Sequence, residues 1–557
     1  MPSGPDTSAV TARPSGAVPA PGAPSTAPAP SATGRAGRLR RAARRGAPRA
    51  GLALLAGLAL AAAFPPLGLW PLSLVAVAAL SLLSRGRGVR GGALSGLLLG
   101  VAFFVGLLHW LSAIGWDAVL GLAVLQALFL AALGGALAAT SGLRLWPLWA
   151  ACLWVAQEAA RDRIPLGGFP WGRLAFANTD SPFTPLAALG GAPLVTFAVA
   201  LSGALLAWAA LAALRARVAS SRGAGVVLPA LGGTALAVAV GAAGYAVPIP
   251  TAADDTVDIA VVQGNVQQPG MDFLGRPMMI LDNHVEPTLE LAEAVEAGRV
   301  AQPDLVIWPE NASDLDPYRH PEAGAAIDRA ARAIGVPILV GALVDHPTRE
   351  GYVENQGIVW DPRTGPGDSY TKQHPVPFGE YVPFREQLSK VVTRLDRVPR
   401  DFWPGESTGV LQVGPARLGD VICFEVAYDG IVRDTVRDGA RALVVQTNNA
   451  TYGLTGQPEQ QLAMSSLRAM EHGRAVVTAA PSGISAVVAP DGTVEQRTEE
   501  FTQEVLTARL PLRDGLTVAD RVGAAPEWLL AMVGALSVVA AAALGRRGRT
   551  DEEGHQP

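Results

Sequence analysis

Two cysteines in 557 residues cannot build a disulfide framework, so cross-links set neither the stability nor the redox compartment of this chain. No Cys/His spacing of a zinc site occurs, and the seven histidines are scattered, which argues against a structural or catalytic metal. No glycine-rich phosphate loop of either common type appears, and no cofactor is implied. Lysine is nearly absent: of 44 basic residues only Lys372 and Lys390 are lysines. Charge is scarce altogether, 17% of residues against 50% hydrophobic, and a net charge of −4 gives no reason to invoke nucleic acid.

What is present begins with a tail. Residues 1–34 are Pro, Ala, Ser, Thr and Gly with almost no large apolar side chains, a composition that cannot bury a core and reads as disordered. Seven arginines follow within 35–49, directly before an apolar run. Apolar runs then cover 51–64 (stopped by Pro65-Pro66), 67–83, 91–114, 118–140, 146–160, 186–214, 226–247 and 526–544. Each is near or above the length that crosses a hydrocarbon core of about 30 Å, the first and fifth being short. Eight spans are expected. The basic residues fall at alternate ends of successive spans: 35–49, then Arg85, Arg87 and Arg90, then Arg144, then Arg215, Arg217 and Arg222, then Arg546, Arg547 and Arg549. The excess of arginine in cytoplasmic loops puts these ends inside, and the segment 251–522 outside the cytoplasm between spans seven and eight. The first run, with its basic lead and Ala61-Ala62-Ala63, also resembles a signal peptide, whose removal would not change the orientation of the later spans.

The expected domains are therefore a tail over 1–49, spans one to seven over 50–250, a soluble domain over 251–522, a last span over 523–545 and a cytoplasmic tail over 546–557. Within 251–522, short apolar runs of strand type recur at 257–262, 305–308, 338–343, 357–360, 421–424, 443–446, 475–479 and 485–489. Helical stretches lie between several of them, at 288–297, 323–334 and 459–472. Strands alternating with helices point to a layered α/β fold.

Three segments of this domain put reactive side chains just past strands. Leu305-Val-Ile-Trp-Pro-Glu310 ends a strand at Pro309 and follows it with a carboxylate. The run from Tyr370 carries Lys372 and Glu380. Gly419-Asp-Val-Ile-Cys-Phe-Glu425 delivers a thiol to a strand end, flanked by Asp420 and Glu425 and followed by a helix-like segment from Tyr428. Taken singly, Glu310 reads as a surface carboxylate at a helix start and Lys372 as a solvated loop lysine, while Cys423 reads equally as a nucleophile or as a small core residue. Together they supply complementary chemistry. A thiol is mostly protonated at neutral pH and needs a base. Attack on an acyl carbon develops a negative oxygen that an ammonium and a backbone N–H can stabilise. The same carboxylate can then return the proton to the leaving group.

The flanks of these residues resemble the nitrilase superfamily of carbon–nitrogen hydrolases and, within it, the membrane branch formed by the apolipoprotein N-acyltransferases. The matching stretches are Val262-Gln-Gly-Asn265, Trp308-Pro-Glu310, Lys372-Gln-His-Pro-Val-Pro-Phe-Gly-Glu380-Tyr-Val-Pro383, Ile422-Cys-Phe-Glu425, Arg468-Ala-Met-Glu471-His-Gly-Arg474 and Ser482-Gly-Ile-Ser485. Gly168-Phe-Pro-Trp171 matches on the expected outer loop between spans five and six. The resemblance covers about 50–545. It implies an αββα sandwich outside the membrane, with Glu310 as general base, Lys372 as oxyanion-stabilising cation, Cys423 as nucleophile, and Glu380 and Glu425 in support. Three departures touch substrate contacts rather than the triad: Asn448-Asn-Ala-Thr-Tyr452 and Pro481-Ser-Gly483 replace family stretches, and Asp272-Phe273 stands where a tryptophan is common.

The resemblance also implies the reaction. Cys423 takes an acyl chain from a membrane phospholipid as a thioester, and the α-amine of an S-diacylglyceryl cysteine in an apolipoprotein then accepts it as an amide, at the outer face of the bacterial cell membrane. Three other readings of the same residues remain: a membrane-tethered nitrilase-type amidase, a non-catalytic scaffold that keeps the fold, and a Cys–His arrangement using His374 or His472.

Overall fold

The computed structural model describes residues 32–218, 224–266, 277–388 and 398–553. Most of the expected tail, together with Asp272-Phe273, Arg222 and Lys390, lies outside the described residues. Contacts divide the chain into residues 1–48 and 49–557. Helix α1 (Ala32–Ala62) begins within the expected tail. There follow α2 (Pro71–Ser84), α3 (Val89–Leu107), α4 (Trp116–Thr140), α5 (Trp146–Arg161), α6 (Ala187–Val218) and α7 (Ala224–Ala242).

Among the described residues five helices are long and apolar enough to cross a membrane: Val89–Leu107, Trp116–Thr140, Thr184–Arg217, Leu228–Ala246 and Ala525–Gly545. Ala47–Ala62 and Pro71–Ser84 are shorter apolar helices, and α5 has 16 residues. Small residues set how closely these helices approach. On α3, a Cβ at Gly96 would fall 1.9 Å from the Leu130 carbonyl oxygen of α4, so only glycine permits this contact.

The α/β half comprises β1 (Asp255–Gln263), α8 (Pro277–Glu296), β2 (Leu305–Ile307), α9 (Pro321–Ile334), β3 (Ile338–Asp345), β4 (Tyr352–Asp361), β5 (Gly365–Thr371), α10 (Arg385–Leu388), β6 (Asp401–Phe402), β7 (Val410–Val413), β8 (Ala416–Ile422), α11 (Asp429–Arg437), β9 (Ala442–Gln446), α12 (Gln457–His472), β10 (Val476–Ala479), β11 (Ala486–Val488), β12 (Val494–Arg497) and β13 (Glu504–Leu512). Helices α13 (Val518–Val522) and α14 (Ala525–Glu553) return the chain to the apolar helices. The helix boundaries follow local chemistry. Pro321 and Pro458 open α9 and α12 where no N–H is needed, and Gly335 and Gly473, at φ +75° and +56°, close them in the left-handed conformation.

Two sheets form, in the orders β13-β1-β2-β3-β4-β5 (with β6 on β4) and β12-β11-β10-β9-β8-β7. Their inner faces share one core, with Ile259, Ile307 and Leu339 from the first sheet and Leu418, Ile422, Val444 and Val477 from the second. Trp308, Ile327 and Leu281 lie in the cluster that α8 and α9 form on the other face of the first sheet. The layers are therefore helix, sheet, sheet, helix. On the far side of the second sheet, α11 and α12 bury Val432, Leu462 and Leu467 in a cluster that also holds Phe64, Phe103, Trp171 and Phe176 of the helical half. The two halves pack directly on each other there.

Candidate active site

Each reactive side chain sits where a strand gives out. Beyond β2, Trp308 N–H still donates to the Leu339 carbonyl, but Pro309 has no N–H to continue the ladder. Glu310 then turns inward with 3% exposure. Lys372 follows β5 directly; its backbone N–H donates to the Asn355 carbonyl of β4 at 2.9 Å. Its side chain is 1% exposed, so neither residue is a solvated surface group.

The segment 421–424 reads as a strand, but β8 stops at Ile422 because Cys423 takes φ +56°. That left-handed conformation is costly for a residue with a Cβ and cannot continue a pleat. It turns 423–427 into a 3₁₀ segment, and Cys423 remains partly exposed. Asp420, two residues before Ile422 and on the same face, points between the sheets, where a Cβ on Gly357 would lie 2.0 Å from its Oδ2. The acidic neighbours of the cysteine thus part company: Asp420 belongs to the intersheet core and Glu425 to the site.

Lys372 Nζ donates to Glu380 Oε1 at 2.7 Å and to Glu310 Oε1 at 3.1 Å. Asn355 Nδ2 donates to the same two carboxylates, at 2.7 Å to Glu310 and 3.3 Å to Glu380. Glu380 Oε2 accepts from Val376 N–H at 2.6 Å, which fixes its own loop. Glu425 does not touch Lys372. It accepts from the backbone N–H groups of Gln373 (2.7 Å), His374 (3.0 Å) and Ile422 (2.8 Å), and from the Tyr370 hydroxyl (2.9 Å). One buried carboxylate therefore ties the lysine strand end to the cysteine strand end.

Burial pushes the Glu310 carboxyl above the usual carboxylate range, with Glu380 adding to the effect and Lys372 opposing it. Burial also works against the Lys372 ammonium, but Glu310 and Glu380 outweigh it and hold its pKa well above the ordinary lysine value. Burial, then Glu310, push the Cys423 thiol up to about 12 against the pull of Lys372. The resting site is a protonated thiol beside a fixed ammonium and a carboxylate of raised basicity, the pairing that general-base activation of a thiol requires.

Two residues at this site carry no motif: Asn355 and Thr447. Thr447 Oγ1 donates toward Cys423 Sγ at 3.3 Å. The parallel register that pairs Ile422 with Gln446 sets the next residues, Cys423 and Thr447, beside each other, and this pairing is invisible in a linear sequence. The hydrogen bond to the sulfur thus comes from Thr447 and not from a histidine. His472 Nδ1 pairs with Asp520 Oδ1 at 2.6 Å, and the His374 ring lies 4.2 Å from that of Tyr428.

The helical half grips the turn that carries the cysteine. The Phe424 ring stacks on Phe169 and Trp171, each at 5.6 Å between centroids, and the Tyr428 hydroxyl donates to the Gly168 carbonyl at 3.1 Å. Arg468 donates to the carbonyls of Val426 (2.8 Å) and Ala427 (3.0 Å). Arg173 and Arg468 both reach Asp429 Oδ1 at 2.7 Å; burial opposes that charge, yet the two guanidiniums hold the carboxyl well below its usual range.

Comparison with known proteins agrees with this division into halves. Residues 56–205 match the family model of the apolipoprotein N-acyltransferase N-terminal domain, and 258–517 match that of the carbon-nitrogen hydrolases. The apolipoprotein N-acyltransferase of Mycolicibacterium smegmatis is 40% identical over 499 residues, 86% of this chain and 82% of its own. That of Pseudomonas putida is 31% identical over 528 residues, 90% of this chain and 97% of its own. Among solved structures, a nitrilase-superfamily amidase from Nesterenkonia AN1 aligns over 47% of this chain and 93% of its own, with 20% identity and a TM-score of 0.34.

Proposed function

The chain belongs to the apolipoprotein N-acyltransferase family, and from that membership we propose that Cys423 carries an acyl chain from a membrane phospholipid to a lipoprotein amine. The chain is an acyltransferase of lipoprotein biosynthesis with a carbon–nitrogen hydrolase domain; amide hydrolysis is not the favoured reading of its triad. The observation that carries the mechanism is the placement of one buried ammonium between two carboxylates beside a cysteine in a left-handed turn.

In the first half-reaction Glu310 takes the Cys423 proton as the sulfur attacks the ester carbon. Lys372 Nζ has three N–H bonds, of which two are given to Glu310 and Glu380; the third is left for the oxygen that turns negative. The C–O bond breaks, the departing lysophospholipid alkoxide takes the proton from Glu310, and a thioester remains. In the second half-reaction the α-amine of an S-diacylglyceryl cysteine attacks the thioester carbon. Glu310 takes a proton from the nitrogen, the C–S bond breaks, and the proton returns to the sulfur. Asn355 and Glu380 hold the pair in place, and Glu425 fixes the strand ends on which Lys372 and Cys423 stand.

Eight crossings, with the catalytic domain on the outer side, are supported by the alternation of arginine-rich ends. They are also supported by the apolar helices, five of full length and the others shorter. Packing α11 and α12 on the apolar helices would hold the thiol near the bilayer in which both lipid substrates reside.

The test is incubation of purified protein with a labelled phospholipid, then with a diacylated lipopeptide. Hydroxylamine-sensitive label should appear on Cys423 and pass to the lipopeptide amine. Label that persists in Cys423→Ala would remove this mechanism.

A further inference from the structure

Thr447 stands one residue past β9, 2% exposed, its backbone N–H donating to the Ala479 carbonyl at 2.9 Å. Its peptide is therefore fixed to β10 while its hydroxyl faces two acceptors: Cys423 Sγ at 3.3 Å and Gln461 Oε1 at 3.1 Å. A hydroxyl has one proton and can serve only one of them at a time. Gln461 Oε1 is already well supplied, by Asn449 Nδ2 at 2.7 Å and Gln457 Nε2 at 3.3 Å. An amide oxygen has two lone pairs, so those two donors satisfy it without Thr447. Among the described residues, Cys423 Sγ has no second hydrogen-bond donor beside Thr447.

We propose that Thr447 is a catalytic residue whose hydroxyl donates to Cys423 Sγ whenever the sulfur carries negative charge, and turns to Gln461 when the sulfur is acylated. The chemistry favours this alternation. A thiolate is a strong acceptor, and a charge-assisted hydrogen bond to it is worth about twice a neutral one. A thioester sulfur carries no charge and, like a thioether, accepts only weakly. The hydroxyl thus stabilises the thiolate twice, once as attacking group in the first half-reaction and once as leaving group in the second. Thr447 neither gains nor loses its proton; Glu310 performs every transfer. The lysine cannot take this task alone, because two of its N–H bonds are committed to Glu310 and Glu380.

The inference rests on Cys423 being the nucleophile, and its test separates the two. In a Cys152→Ser background, the full-length protein is treated with iodoacetamide at pH 7.5, and single-turnover acylation by a labelled phospholipid is followed in parallel. Thr447→Val should slow alkylation of Cys423 at pH 7.5 by about tenfold, the order that loss of one hydrogen bond to a charged group produces. Thr447→Ser, which keeps the hydroxyl, should stay within about threefold of the parent. Thr447→Ala repeats the loss with a smaller side chain, and melting temperatures of all variants show whether a change is merely structural. Thr447→Val and Thr447→Ala proteins that melt like the parent and are alkylated and acylated at its rate would overturn the role of Thr447. Absence of label on Cys423 in the parent would instead overturn the nucleophile.

Discussion

Lys372 Nζ is closer to Glu380 Oε1, at 2.7 Å, than to the proposed base Glu310, at 3.1 Å. Glu380 is thus the principal anchor of the ammonium. Glu380→Gln keeps an oxygen for that hydrogen bond but removes the charge that fixes it. Acyl-enzyme formation should fall about 10²-fold, the order that a small displacement of a catalytic group produces. Lys372→Ala removes the proposed oxyanion donor and should cost about 10³-fold, with the protein still folded in membranes. Single-turnover acylation measures both; a Glu380→Gln rate within a few-fold of the parent would remove Glu380 from the mechanism.

The acid limb of the first half-reaction should belong to Glu310. Burial, then Glu380, hold its carboxyl above the ordinary 4.5. The base must be ionised, so the rate is lost as pH falls through this raised pKa, earlier than for a free glutamate. Glu380→Gln removes one upward push and should move the limb to lower pH. His374 is held down to about 4, by burial first and then by the Lys372 charge. It is neutral at every pH above that and should add no inflection near 6.5. A pH profile whose limb moves in His374→Gln but not in Glu380→Gln would reverse these assignments.

Much of this site was legible in the chain itself. Glu310 and Cys423 lie at the ends of apolar runs of strand type, and the flanks of all three residues carry the family pattern; β5, which leads to Lys372, reads Gly-Pro-Gly-Asp-Ser-Tyr-Thr and has no such run. The apolar runs at 91–114, 118–140 and 226–247 lie close to α3, α4 and α7 for a related reason: a helix surrounded by apolar material needs no polar face, so length and hydropathy suffice to find it. What escaped is what depends on pairing. Asn355 lies within β4, whose first half (Tyr-Val-Glu-Asn-Gln) has no apolar run and is a strand only because β3 pairs with it. β13 likewise alternates exposed and buried residues against β1. Thr447 reaches the sulfur through the β8–β9 register. Even Cys423 was placed at a strand end without the left-handed turn that ends the strand.

Arg468 is fully buried and serves four partners: the carbonyls of Val426 and Ala427, and the carboxylates of Asp429 and Glu471. Arg468→Met would leave Glu471 without its guanidinium and two carbonyls of the cysteine turn without donors. Breaking a buried pair in this way costs about 3–5 kcal/mol. The melting temperature should drop by several degrees and acylation should fall with it. Arg468→Lys should not rescue either, because a single ammonium cannot span four acceptors in different directions. Thermal unfolding in detergent checks the first claim, and an unchanged melting temperature in Arg468→Met would sink it.

The last prediction concerns the space between the sheets. A Cβ at Gly357 on β4 would lie 2.0 Å from Asp420 Oδ2 and 2.7 Å from Gln446 Oε1. Gln446 Nε2 in turn donates to the Trp308 carbonyl at 2.6 Å, two residues before Glu310. Asp420 precedes Cys423 by three residues on β8. One added methyl therefore pushes on the strand that leads to Glu310 and the strand that leads to Cys423 together. Overpacking of this kind costs about 1–3 kcal/mol in stability. Its effect on acylation should be larger than the loss of folded protein accounts for, since the distance between Glu310 and Cys423 is what it disturbs. Gly367→Ala on β5 is the control: its nearest neighbour is the Val359 carbonyl oxygen at 3.4 Å, an ordinary contact. Gly357→Ala should melt earlier and acylate more slowly while Gly367→Ala matches the parent. Equal behaviour of the two variants would mean that the sheets yield there, and that the site is not held by their packing.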